Sequence, residues 1–176
     1  WDRKAFGLYL GVRDSQGALV PDVAIMAFTG SRDVGLGIIE AAARMPEGSD
    51  RVKRVVAEMG GKNAIILDAD ADLDEAIVHV VRSAFGYQGQ KCSACSRLIV
   101  LEANFEKVLD RLKAALLSIE VGNTEDPKNF MGALIDRAAM EKVLRYIEIG
   151  KQEGRLLILR TEPSARGYFV PPTVFV

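Results

Sequence analysis

An α/β fold with a largely parallel sheet is the architecture that this 176-residue sequence predicts, and three features point to it. Short, almost unbroken apolar runs, as at residues 23–28 and 63–67, have the pattern of strands in a buried parallel sheet. Longer stretches between them carry apolar residues three and four apart, the helical period. The two patterns alternate along the chain, as they do in βαβ units.

Each element follows in order. The first run ends in Thr29-Gly30-Ser31 and turns into a helix expected over residues 33–45, with Ser31 placed to cap it. Pro46-Glu47-Gly48-Ser49-Asp50 is a loop by composition. Residues 51–58 alternate toward Val52, Val55 and Val56, a second strand, and Gly60-Gly61 stops it. After the run at 63–67, Leu73, Ala76, Ile77, Val80, Val81 and Ala84 form one helical stripe within residues 72–87. That helix ends in the glycine-rich Gly86-Tyr87-Gln88-Gly89-Gln90, and a strand over 97–101 follows the cysteines. A helix over 104–118 turns Phe105, Val108, Leu109, Leu112 and Leu116 to one face. A polar loop at 122–129 leads to a last helix with Met140, Val143, Leu144 and Ile147 inward, and residues 155–159 and 169–176 are extended.

Composition removes several functions. Lys and Arg number 23 and Asp and Glu 24, a formal net charge of −1, which argues against a nucleic-acid surface. No stretch approaches the roughly 18 apolar residues of a membrane span. The start, Trp1-Asp2-Arg3-Lys4, has neither initiator Met nor signal-peptide character, so a fragment or processed chain is expected. Two cysteines make no disulfide scaffold and fit a reducing compartment. With His79 they total three, too few for a four-ligand zinc site, and no metal is expected. His79 lies one step off the helical stripe and is expected on the surface. A thiol nucleophile here would therefore use a carboxylate as its base.

Three segments have chemical potential. In Phe28-Thr29-Gly30-Ser31-Arg32-Asp33-Val34-Gly35 a strand ends in small residues and opens a helix, presenting amide donors that suit phosphate, though ordinary connections look alike. Gly30 and Gly35 have Walker spacing, but Leu36-Gly37 stands where Lys-Ser/Thr is required, and GxGxxG is absent. In Gly89-Gln90-Lys91-Cys92-Ser93-Ala94-Cys95, Cys92 is a candidate nucleophile with Lys91 and Arg97 near to favour thiolate. A buried structural cysteine and a CxxC redox pair are the alternatives. In Glu58-Met59-Gly60-Gly61-Lys62 a carboxylate at a strand end is either a general base or a solvated surface group.

The order Phe-Thr-Gly-Ser-x-x-Val-Gly, then Glu-x-Gly-Gly-Lys, then Gly-Gln-x-Cys resembles the aldehyde dehydrogenase superfamily. Gly132 in Phe-Met-Gly-Ala-Leu-Ile and the ending Gly167-Tyr168-Phe169-Val170-Pro171-Pro172-Thr173-Val174-Phe175 extend the likeness across residues 21–176, while residues 6–19 match poorly. Gly-Tyr-Gln-Gly-Gln-Lys-Cys-Ser-Ala and Tyr146-Ile147-Glu148-Ile149-Gly150 look most like the 1-pyrroline-5-carboxylate dehydrogenase branch.

The resemblance implies Cys92 as nucleophile and Glu58 as hydrolytic base. Phe28, Thr29, Gly30, Ser31, Val34, Gly35 and Gly60 would contact NAD or NADP, with the amides of the turn free for the cofactor. Cys95 matches no catalytic position. Residues 1–58 would be the end of the NAD-binding domain and 59–176 an incomplete catalytic domain. The implied reaction is oxidation of L-glutamate γ-semialdehyde to glutamate, or of another aldehyde. A small-molecule aldehyde is the implied partner, without nucleic acid or membrane, in a homo-oligomeric parent that in this branch is in some cases fused to a proline dehydrogenase domain. The location would be cytoplasmic for a bacterial parent and the mitochondrial matrix for a eukaryotic one. The family's oxyanion asparagine, adenosine-ribose lysine, Glu-x-Phe-Gly-Pro motif, substrate-anchoring loop and oligomerisation strand have no match here. The isolated chain is therefore expected to be inactive. A non-catalytic fold fragment and a thiol-redox protein using Cys92 and Cys95 are the readings from other classes.

Overall fold

The computed structural model describes residues 24–44, 52–159 and 167–176. The loop expected at 46–50, the helix end at Met45 and the strand starts at Val23 and Arg51 lie outside those residues. Two compact units divide the chain, the first ending at Gly60 and the second running from Gly61 to Val176.

In the first unit, strand β1 (Ile25–Thr29) pairs in parallel with β2 (Arg54–Glu58), from Ile25 opposite Arg54 to Thr29 opposite Glu58. Helix α1 (Arg32–Ala43) connects toward β2, and its start is capped as expected: Ser31 Oγ accepts from Val34 N at 3.4 Å. Gly35, Ile38 and Ala42 sit on its buried face. Met26, Ile38 and Ala42 form the unit's core, with Phe28, Ala41 and Val55 packed on it. The first run departs from the sequence expectation of burial on both faces. Ile25 is 61% exposed, because the helix covers only the Met26–Phe28 face of a two-stranded sheet.

The second unit holds β3 (Asn63–Leu67), α2 (Leu73–Phe85), a 3₁₀ turn (Gly86–Gly89), β4 (Cys95–Val100), α3 (Phe105–Ser118), β5 (Glu120–Val121), β6 (Asn129–Met131), α4 (Arg137–Glu153), β7 (Leu156–Leu159) and β8 (Thr173–Phe175). β3 runs parallel to β4 and β5 to β6, whereas β7 and β8 are antiparallel. Among the described residues three of the four strand pairs are therefore parallel, as expected of the class. Helix α2 begins where Asp72 Oδ1 accepts from the amides of Asp74 and Glu75, a carboxylate at the positive helix end. Its stripe packs as predicted, with Ile77 and Val80 buried. Val108, Leu112 and Leu116 of α3 meet them in one core with Leu67, Ile119, Val121, Met131 and Ile158. Each such side chain contributes about 1.5–3 kcal/mol. Asn104, the one buried polar side chain among the described residues, donates to the carbonyls of Asp68 and Ala69 at 2.9 and 3.0 Å.

Three details correct the sequence expectation. β4 begins at Cys95, two residues early, because Cys95 pairs with Asn63 in the sheet register. The stretch expected as loop between α3 and α4 is flanked by the short strands β5 and β6. Ile66 and Ile99, register partners on one face, are 69% and 49% exposed although their runs read as buried. His79 is on the surface as expected, 3.6 Å from Glu75. No described helix is long and apolar enough to cross a membrane.

Candidate active site

The first unit gathers its candidate residues at the carboxyl ends of the parallel strands, where open α/β sheets hold ligands. Thr29 and Glu58 are register partners there, and the Gly30 amide donates to the Glu58 carbonyl at 3.1 Å. Helix α1 starts immediately after. The expectation that the turn's amides are all free is corrected, since Gly30 N is held by Glu58 and Val34 N by the Ser31 cap. Among the described residues the amides of Ser31, Arg32 and Asp33 have no acceptor, and they point from the positive end of a 12-residue helix.

Arg32 adds an exposed guanidinium, 3.7 Å from the exposed Asp33 carboxylate. This donor set fits an anionic group such as a phosphate. The glycines have packing reasons of their own. A Cβ on Gly30 would lie 2.6 Å from the Phe28 ring, and one on Gly35 would lie 2.8 Å from Met59 Sδ. Phe28 is half-buried on the small core, Ser31 and Val34 are exposed, and a Cβ on Gly60 would meet open space. The Glu58 side chain is exposed at the end of β2.

In the second unit, Cys92 stands on a turn closed by Ala94 N donating to the Lys91 carbonyl at 3.0 Å. The chain reaches that turn through three consecutive left-handed residues, Tyr87 (φ 57°), Gln88 (φ 55°) and Gly89 (φ 66°). For Tyr87 and Gln88 this costs about 1–3 kcal/mol each and persists only where neighbours impose it. The Gln88 carboxamide supplies one such tie in the orientation that turns Oε1 to Gly132 N, 2.5 Å away, and Nε2 to the Tyr87 carbonyl, 3.0 Å away. Asn63 supplies another, its Nδ2 donating to the Cys92 carbonyl at 2.6 Å and the Ala94 carbonyl at 3.3 Å. Beyond the turn, Cys95 N donates to Ser83 Oγ at 3.1 Å.

The two thiols are unlike. Cys92 is exposed, whereas Cys95 is buried and donates its thiol hydrogen to the Arg97 carbonyl at 3.3 Å. A paired redox role would need both to exchange freely, and packing holds Cys95 instead. Lys91 Nζ lies 3.8 Å from the Cβ position of Gly86, folded back along the turn. Among the described residues no cluster of three or more His, Cys, Asp or Glu could hold a metal ion.

Glu58 belongs to the first unit and Cys92 to the second, with Met59 to Lys62 between Glu58 and Asn63 in sequence. Sequence reasoning missed the roles of Asn63 and Gln88. The available signal for Asn63 was a carboxamide at the entrance of an apolar run, where a side chain able to bond backbone competes with strand formation.

Comparison with known proteins identifies the family. The sequence model of the aldehyde dehydrogenase family matches residues 12–176. A 1-pyrroline-5-carboxylate dehydrogenase of Anoxybacillus flavithermus is 48% identical over 155 residues, covering 88% of this chain and 30% of the relative. The Bacillus subtilis protein of the same name is 47% identical with the same coverage. The chain thus spans about 30% of the length of the curated relatives it matches. Among solved structures, 1-pyrroline-5-carboxylate dehydrogenase from Thermus with bound NAD superposes with a TM-score of 0.83 at 44% identity, covering 89% of this chain and 30% of that one. Proline utilization A from Bdellovibrio bacteriovorus gives 0.86 at 46% identity, covering 89% and 16%. With a family match over nearly its whole length, this chain belongs to the aldehyde dehydrogenase family.

Proposed function

We propose that this chain is part of an NAD(P)-dependent aldehyde dehydrogenase that oxidises L-glutamate γ-semialdehyde to glutamate. One observation carries this reading. Cys92, in the position that the family resemblance makes the nucleophile, is an exposed thiol on a turn tied down by the Asn63 side chain from outside it. The semialdehyde is the substrate class suggested by the names of relatives at 47–48% identity.

In this mechanism the Cys92 sulfur attacks the aldehyde carbon, the carbonyl electron pair moves to oxygen, and a proton taken up there completes a thiohemiacetal. The Cys92 backbone N–H is the near donor for that oxygen. NAD, when bound, would supply the hydride acceptor; as the hydride leaves the former aldehyde carbon, the hydroxyl proton passes to solvent and a thioester on Cys92 remains. Glu58 then takes a proton from water as the water attacks the thioester carbon, and the Cys92 thiolate leaves with the carboxylate product released. The amides of Ser31, Arg32 and Asp33, with the end of α1, would hold the cofactor's pyrophosphate, and Thr29, Gly30, Val34, Gly35 and Gly60 would border it. Phe28 supports this turn from beneath. The whole parent is proposed as a homo-oligomer, cytoplasmic in a bacterium and in the mitochondrial matrix in a eukaryote. A proline dehydrogenase fusion of the kind suggested by the proline utilization A neighbours is compatible with it.

The test compares the 176-residue chain with the complete protein that contains it. NADH formation is followed with glutamate semialdehyde and with a simple aliphatic aldehyde, and Cys92→Ala serves as blank. The complete protein is expected to prefer the semialdehyde. The 176-residue chain is expected not to exceed the blank, because hydride transfer requires a defined pose and loss of one oxyanion donor alone costs about 100-fold or more. Equal rates with both aldehydes would overturn the substrate assignment. NADH formed equally well without Cys92 would overturn the mechanism.

A further inference from the structure

We propose that Asn63 is a positioning residue for the Cys92 turn, and this inference rests on the thiol reading above. Its carboxamide nitrogen has two hydrogens in one plane, one for each of two acceptors. The acceptors are the Cys92 and Ala94 carbonyls, at 2.6 and 3.3 Å, which bracket the peptide units following the nucleophile. Asn63 is itself anchored. It opens β3, pairs with Cys95 in the parallel register, and its carbonyl accepts from Ser96 Oγ at 3.4 Å.

The turn is exposed and would otherwise sample several conformations. Fixing the carbonyl of Cys92 fixes the torsion between its Cα and that carbonyl. The Ala94-to-Lys91 hydrogen bond closes the other side of the turn. These two restraints fix the peptide planes on either side of Cys92, and with them the direction of the Cys92 N–H relative to the Cα–Cβ bond that carries the thiol. Acyl chemistry needs both at once, the sulfur on the carbon and the N–H about 3 Å from the developing oxyanion. Simple alkylation needs only an accessible thiolate. Asn63 therefore matters for attack on a carbonyl and little for displacement at a saturated carbon.

Two probes on the 176-residue chain separate these demands, with site occupancy read by mass spectrometry. With 4-nitrophenyl acetate the Cys92 thiolate attacks the ester carbon, the tetrahedral oxyanion collapses, the C–O bond breaks, and 4-nitrophenolate leaves with the acetyl group on sulfur. With iodoacetamide the thiolate displaces iodide, with no oxyanion. The ratio of the two rate constants cancels the thiolate population, and glutathione gives the ratio for an unassisted thiol.

The wild-type ratio at Cys92 is expected to exceed that of glutathione. Asn63→Ala and the isosteric non-donor Asn63→Asp are each expected to lower it about ten-fold, less than the 10²–10³ typical of deleting a donor outright because the N–H is misaimed and not removed. Cys95 is the internal control for folding, since it is buried and should stay unreactive. An unchanged ratio in a variant that keeps Cys95 protected overturns the proposal. So does exposure of Cys95 in both variants, which assigns Asn63 a purely structural role. A wild-type ratio no higher than that of glutathione overturns the thiol reading itself, and this inference falls with it.

Discussion

Gly89→Ala is the substitution for which the structure allows a magnitude to be worked. Gly89 has φ +66°, where an L-residue costs about 1–2 kcal/mol. A Cβ there would also lie 2.7 Å from the Ala84 carbonyl oxygen, far inside the roughly 3.3–3.6 Å of an ordinary C···O contact. That oxygen belongs to the last turn of α2, so relief requires moving helix backbone rather than rotating a side chain. Together the two terms predict a loss of about 2–4 kcal/mol, within the range of backbone effects at left-handed positions.

With a urea slope of about 1–3 kcal/mol/M, the unfolding midpoint should fall by about 1–2 M. Gly86→Ala is the internal control three residues away. A Cβ there meets only Lys91 Nζ and Phe130 Cζ at 3.8 Å, with an ordinary negative φ of −57°. It should change stability by no more than about 0.5 kcal/mol. Urea unfolding followed by circular dichroism measures both. Equal midpoints for the two variants would refute the claim that the left-handed entry to the Cys92 turn is imposed by backbone packing.

Two further outcomes follow from the same structure. Asn104→Ala removes the donor of the Asp68 and Ala69 carbonyls and should destabilise the chain by about 1–3 kcal/mol, read as a lower urea midpoint. The exposed register pair Ile66 and Ile99 should make the 176-residue chain self-associate. Changing both to Lys should shift sedimentation equilibrium toward monomer, and an unchanged distribution would place the sticky surface elsewhere.

What was legible in the sequence was whatever rested on local periodicity. The α2 stripe through Ile77 and Val80, the α3 face through Val108, Leu112 and Leu116, and the run of β3 stand where the pattern puts them. β5 and β6, two and three residues long, are too short to show an alternation at all. The early start of β4 depends on pairing with Asn63, a partner 32 residues away that no local pattern announces. The same holds for the Asn63 carboxamide on Cys92 and for the Glu58 carbonyl on the Gly30 amide.

Glycine spacing marked the 86–90 segment as a turn, yet the left-handed conformations of Tyr87 and Gln88 could not be read from residues that rarely adopt them. The apolar runs of β1 and β3 promised cover on both faces, and each two-stranded sheet here is covered on one. Among the site residues, the order of motifs pointed to Cys92 and Glu58. The difference in burial between Cys92 and Cys95 needed the packing of α2 against β4.

The division of labour between nucleophile and hydrolytic base is tested most directly by rapid-mixing measurement of NADH in the complete protein carrying Glu58→Gln. Cys92 should still add to the aldehyde, and the adduct's carbon should release its hydride once, while the thioester should persist for want of a base. A burst approaching one NADH per Cys92, followed by turnover slowed about 10²–10⁴-fold, is the predicted result. The acyl group should be found on Cys92 by mass spectrometry. Steady turnover at the unmodified rate, or a burst that survives in Cys92→Ala, would contradict the account.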